Sequence, residues 1–261
     1  MNYWHRHKNF FLVVLIAAVF FIGTSSFNYL TQEPGYVKWS SPDETANYFF
    51  ARQYAQTGQL AFFDRAGVVG DFLLMPRSVR NDFGWLKPVS FLGIILIYGS
   101  LGAALGVGII PYLTPFFAAI GLVIFYLLVR KLFSERVGLW SAAILASFPV
   151  YIYYTVRSMF HNVLFLVLLL IGIYLAVLAL GRKEENRRRF LEFRLPVWYW
   201  FELGASLAAG IFFGLALITR TSEILWLGPA LFFTWIFYAR RFGVAKTLLL
   251  LSGAVLPLLA V

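Results

Sequence analysis

Apolar residues in this chain come in long unbroken runs, not at a helical or strand period. The runs cover residues 10–30, 89–110, 111–129, 137–153, 161–180, 198–219, 223–239 and 242–261. Most approach the ~20 residues an α-helix needs to cross a hydrocarbon core ~30 Å thick. No stretch alternates apolar and polar residues as an outer-membrane barrel would. A helix satisfies its own backbone polar groups in lipid, so helices are the spanning elements. The pattern predicts an all-α polytopic membrane protein.

One short segment reads differently. After the first run comes Ser41-Pro42-Asp43-Glu44, then TANYFFARQYAQTG. Ser41 and Glu44 have the spacing of a capping box, with Pro42 at the first helical position. Asp43 and Glu44 also suit the positive end of a helix dipole. Gly58 supplies the stop. The segment predicts a helix from Pro42 to Thr57 whose Tyr48, Phe49, Ala51 and Tyr54 lie against the membrane surface. Capping accounts for Glu44 but not for Asp43, because any residue serves at the second helical position.

Basic clusters at 5–8, 130–136, 182–194 and 240–246 set the topology. If all face the cytoplasm, an even number of crossings separates each pair. The intervals 136–182 and 194–240 each hold two runs and obey the rule. The interval 8–130 holds three. The repair is that 89–110 does not cross. Its glycines (Gly93, Gly99, Gly102, Gly106 and Gly108) lower helix propensity, and Pro111 starts the next helix. A re-entrant or interfacial segment is expected there, since broken backbone is tolerated where it lines a cavity. The alternative is an ordinary span with a weak charge signal. Residues 31–110 then form one long extracytoplasmic loop, and the N-terminus is cytoplasmic. The run at 10–30 is too long for a cleaved signal and reads as a retained anchor. The run at 242–261 ends without a polar tail, so 1–261 is expected to be the N-terminal part of a longer transmembrane domain.

Composition agrees with this picture. The 261 residues are 61% hydrophobic and only 13% charged, far from a soluble domain's quarter charged. The net charge of +10 reads as an orientation signal, with no nucleic-acid partner expected. With no cysteine, disulfides, thiolate nucleophiles and cysteine metal sites are excluded.

Charges are scarce in the runs and gather in the first loop: Asp43, Glu44, Asp64, Arg65, Asp71, Arg77, Arg80, Asp82 and Lys87. A carboxylate there can take a proton from an attacking hydroxyl. Arginine and lysine can hold a leaving phosphate. Arg157 reads either as a snorkelling interfacial residue or as a site residue. Arg220 and Glu223 flank a turn and form a local ion pair by default, and Glu202 near a helix end reaches for the interface.

Three further stretches carry a resemblance. LKPVSFLGIILIYGSLGAALG lies toward the end of the loop. TPFFAAIGLVIFYLLVRKLFSERVGLWSAAILASFPVYIYYTVRSMFHN gives two runs joined by a basic turn. GIFFGLALITRTSEILWLGPALFF carries Gly-x-x-x-Gly and a basic end. Together with PDETANYFFARQYAQTGQL, in this order and spacing, they resemble the GT-C superfamily of membrane glycosyltransferases. The branch they resemble contains the protein O-mannosyltransferases and lipid A aminoarabinose transferases. The resemblance implies transfer of a sugar, with inversion, from a polyprenyl-phosphate donor to a lipid, glycan or protein acceptor. The reaction would occur on the extracytoplasmic face of the plasma (inner) membrane. It implies Asp43 as base, with Glu44 the following acid of the motif. It implies Lys87 and Arg157 as donor-phosphate ligands, and Arg77 or Arg80 could assist. His161 and Asn162 stand where many relatives carry a second acid, so a second-loop site is placed there. No cofactor is implied with certainty, and a divalent metal is left open. The competing reading is non-enzymatic: a lipid-linked sugar transporter, or a scaffold subunit.

Overall fold

The computed structural model describes residues 3–31, 39, 41–70, 77–89, 91–181 and 197–259. Asp71 and the basic stretch 182–194 lie outside the described residues. The chain divides into two compact units, Met1–Val167 and Leu168–Val261. Five described helices are long and apolar enough to cross a membrane, or six spans if one bent pair counts as one. The chain is an all-α polytopic membrane protein.

In the first unit, α1 (Tyr3–Thr31) and α5 (Ile110–Leu132) run antiparallel. At one end Asn28 Nδ2 donates to the Pro111 carbonyl at 3.3 Å. At the other the Phe10 and Tyr126 rings sit 6.3 Å apart. The stretch between these helices therefore leaves and returns at the same end. Within it, α2 (Pro42–Thr57) takes the bounds its capping signals predict, with Gly58 at φ 71° closing it. A five-residue helix, α3 (Arg65–Val69), follows. The helix α4 (Leu92–Leu105) has 14 residues. At 1.5 Å per residue that is about 21 Å, short of a ~30 Å hydrocarbon core.

The glycines of α4 are contact points. A methyl on Gly99 would lie 2.7 Å from Tyr54 Cδ1 and 2.9 Å from the Ala51 carbonyl. One on Gly102 would lie 3.3 Å from Ala55 Cβ. The face of α2 bearing Ala51 and Tyr54 thus packs on α4 and not on the membrane surface. Phe49 stays exposed, its ring 5.1 Å from that of Phe62.

A small antiparallel sheet also lies in this excursion, and the residue pattern does not predict it. Its strands β1 (Phe62–Phe63), β2 (Val79–Asp82) and β3 (Trp85–Pro88) are ordered β1-β3-β2. Arg80 pairs with Lys87 and Asp82 with Trp85. Phe83 and Gly84 make the turn at φ 51° and 92°, the twist that hairpins favour. Asn-Gly would have announced such a turn; Phe-Gly does not.

Residues 137–153, expected as one span, are bent. The chain breaks into α6 (Glu135–Ser147) and α7 (Pro149–Val156), bent by 56°. Pro149 has no N–H for the helix behind it and forces Phe148 out of the helical region, to φ −71° and ψ 119°. Tyr151 on α7 donates to the Ala118 carbonyl at 2.8 Å and stacks on Phe20, which fixes the bend against α5 and α1. The helix α8 (His161–Ala179) follows.

The second unit holds α9 (Val197–Thr219), α10 (Ile224–Phe242) and α11 (Val244–Leu259). Gly210 and Gly214 of α9 lie against the backbone of α11 at Leu250 and Ala254, and Gly253 lies against Leu207. This is the small-residue packing of membrane helices, where close backbone approach replaces a hydrophobic drive. Glu202 does not reach outward as expected. It is buried with Lys246, whose ammonium also donates to the Ala179 carbonyl at 2.7 Å. Two apolar helix ends would otherwise trap a lone charge, which costs far more than a paired one. Arg220 and Glu223 pair locally at 2.7 Å, as their spacing predicts.

Candidate functional site

The turn between α7 and α8, residues 157–160, is the meeting point of the first unit. Three helices reach it with polar side chains, and a fourth bonds to one of those side chains. From α1, Asn28 donates to Ser158 Oγ. From α5, Thr114 donates to the Ser158 carbonyl, with Tyr98 of α4 2.7 Å from the same hydroxyl. From α2, Asn47 donates to the Met159 carbonyl at 2.9 Å. Asn28, Asn47, Thr114 and Ser158 are all buried, so each bond avoids the cost of an unpaired polar group.

The strongest of these links is an ion pair. Arg157 donates from Nε to Glu44 Oε2 at 2.9 Å, and from Nη2 to the same oxygen. Glu44 is 1% exposed and Arg157 21%. Arg157 Nη1 donates to the Tyr153 hydroxyl at 2.8 Å, and its carbon Cζ lies 4.8 Å from the Phe160 ring. The Glu44 hydrogen bond pushes the guanidinium further above its already high value, against the effect of partial burial.

One expectation is corrected here. Glu44 does not close a capping box. Ser41 Oγ accepts from the Asp43 N–H at 3.2 Å, while Glu44 turns inward to Arg157. A charge-assisted pair with two donors outweighs a bond to one N–H. Arg157, expected on the donor phosphate, has donors turned to Glu44 and Tyr153.

Asp43 behaves differently from its neighbour. Successive helix residues point about 100° apart, so Asp43 leaves the Glu44 face. Its Oδ1 accepts from the Ser78 hydroxyl, at the base of the β2–β3 hairpin. Among the described residues its second oxygen has no hydrogen-bond partner, and the residue is half-buried. Among the described residues the carboxylate is thus held by one oxygen, with the other left without a hydrogen bond.

The hairpin carries the expected cations. Arg80, Asp82 and Lys87 share one face of the sheet, as alternation and pairing require. Asp82 receives Lys87 Nζ at 3.0 Å and Arg80 Nε at 2.7 Å. Those two hydrogen bonds, that from Lys87 first, hold its carboxyl below the ordinary 3.8. Lys87 and Arg80 remain exposed, as does Arg77. Beside Lys87 lies an open, mostly apolar depression of about 530 Å³, lined also by Gln59, Leu60, Ala61, Trp85, Pro88 and Leu92.

His161 is buried at the start of α8, its ring stacked 3.6 Å from that of Phe91, which takes a left-handed backbone at φ 61°. Asn162 follows it, half-buried. Among the described residues no three His, Asp or Glu side chains gather to hold a metal ion. The structure therefore gives the adjacent Asp43 and Glu44 separate partners, groups Arg80 with Lys87, and sets Arg157 on Glu44. Asn47 was within reach of sequence reasoning, because it lies one turn from Glu44 on the same helix face. Ser78 carried no such signal.

No family model matches the chain, and no curated protein matches it.

Proposed function

We propose that the chain transfers a sugar from a polyprenyl-phosphate donor to a hydroxyl of a lipid, glycan or protein acceptor at the extracytoplasmic surface of the plasma membrane. The observation that carries this reading is Asp43: a carboxylate fixed through one oxygen, open at the other, beside a hairpin that presents exposed cations. The acceptor hydroxyl gives its proton to the open oxygen of Asp43 as its own oxygen bonds to the anomeric carbon. The bond from that carbon to the phosphate oxygen breaks with inversion. The electron pair leaves with the phosphate, whose added charge Lys87, with Arg80 or Arg77, offsets. Glu44 and Arg157 take no part in proton transfer; they hold α2 in place.

The reading agrees with the resemblance drawn from the order of motifs and with the scarcity of charge inside the spans. The test is transfer of radiolabelled sugar from polyprenyl-phosphate donors in membranes holding wild type or Asp43→Asn, matched for insertion. Wild type is expected to label an acceptor and the variant to lose at least 100-fold in rate, the lower range for a removed base. Equal labelling by both refutes the assignment. Labelling by neither, across donors, favours a scaffold.

A further inference from the structure

Ser78 is the partner of Asp43, and its backbone is unusual. Its φ is 73°, in the left-handed region. A non-glycine residue there is uncommon, and such strain gathers where the surroundings over-determine it. Glycine would adopt the same backbone without cost. The hairpin fixes this geometry from the far side, since the Val89 N–H donates to the Ser78 carbonyl at 3.3 Å. Val79 then pairs with Pro88 and Arg80 with Lys87. The strained residue thus joins two things: the carboxylate of α2 and the strand bearing the cations. A serine hydroxyl aimed at Asp43 is what glycine could not provide.

We propose that Ser78 is a positioning residue for Asp43, holding one carboxylate oxygen so that the other faces the acceptor hydroxyl, in register with the cations of the hairpin. This rests on the reading of Asp43 as the base. Without the Ser78 hydroxyl the carboxylate turns about its χ angles, and the open oxygen loses its aim. A misplacement of about 1 Å at a reacting group costs about 100-fold in rate. Donor binding, which the exposed cations serve, does not depend on that aim.

The experiment uses three variants of the full chain in membranes, with the Asp43→Asn variant as reference. Ser78→Gly removes the hydroxyl and relieves the backbone. It is expected to keep or raise the thermal midpoint, and to lower kcat about 10- to 100-fold with the donor KM within about twofold. Ser78→Asn keeps a donor on a residue that tolerates the left-handed region, and is expected to recover part of kcat. A merely structural serine predicts the opposite pattern: no loss with glycine, or parallel losses of stability and rate. Wild-type kcat in Ser78→Gly overturns the inference while leaving Asp43 as base. Full activity in Asp43→Asn overturns both. The chain has no cysteine, so the double variant Asp43→Cys/Ser78→Cys reads the juxtaposition without any activity. Oxidation is expected to close a 43–78 disulfide, seen as a mobility shift reversed by reductant. Failure to close it, together with wild-type kcat in Ser78→Gly, overturns the inference.

Discussion

Arg157→Met tests the junction that places α2. The pair it breaks is unequal, since Glu44 is 1% exposed and Arg157 21%. Removing the guanidinium strands a carboxylate where water cannot reach it. A buried pair broken in this way costs about 3–5 kcal/mol. The lost contact with the Phe160 ring adds about 0.5–1 kcal/mol. Glu44→Gln is the milder change, because the arginine left behind can turn to solvent. It loses hydrogen bonds to a charged partner, about 1.5–3 kcal/mol. The double variant Glu44→Leu/Arg157→Met removes both charges and leaves an apolar contact, so it is expected within about 1 kcal/mol of wild type. Equilibrium unfolding in mixed micelles, followed by tryptophan fluorescence, gives all three values. The expected order has Arg157→Met worst and the double variant best. Additive losses, or a Glu44→Gln variant less stable than Arg157→Met, would refute the argument that the carboxylate is the trapped partner.

Two further outcomes follow from the excursion. Gly99→Ala sets a methyl 2.9 Å from a backbone carbonyl of α2, which cannot move as a side chain end can, so a loss of about 1–3 kcal/mol is expected, read in the same unfolding assay. Asp82 has a folded carboxyl held below 3.8, so its contribution is complete above that value and is lost as pH falls through the lower folded one. An acid titration of hairpin protection by hydrogen exchange is therefore expected to show weakening only below pH 3.8, and none in Asp82→Asn.

Much of the fold was legible. Long apolar runs announced the spanning helices, and Ser41, Pro42 and Gly58 fixed both ends of α2, because caps act within one turn and need no tertiary partner. Charge parity argued that 89–110 does not cross; the helix there, α4, has 14 residues. What was not legible depends on distant contacts. The partner of Glu44 lies 113 residues away, and that of Asp43 lies 35 away. A capping box and a buried ion pair use the same glutamate, and only the packing of α2 on the 157–160 turn chooses between them. The sheet escaped notice because strands of two to four residues carry no periodicity.

Asn28 and Pro111 stand a single hydrogen bond apart, although more than eighty residues of chain separate them. The excursion between them thus leaves and rejoins the helix pair at one place, and α2 and α4 tie it to the 157–160 turn. Lengthening it costs little, about 0.6 kcal/mol for each doubling of a flexible loop, and leaves the register of α1 and α5 untouched. A single residue inserted into α5 would instead rotate everything after it by about 100°. Change at the surface and constancy in the membrane are thereby separated within one continuous chain. The same pair of helices can carry a different loop without relearning how to insert.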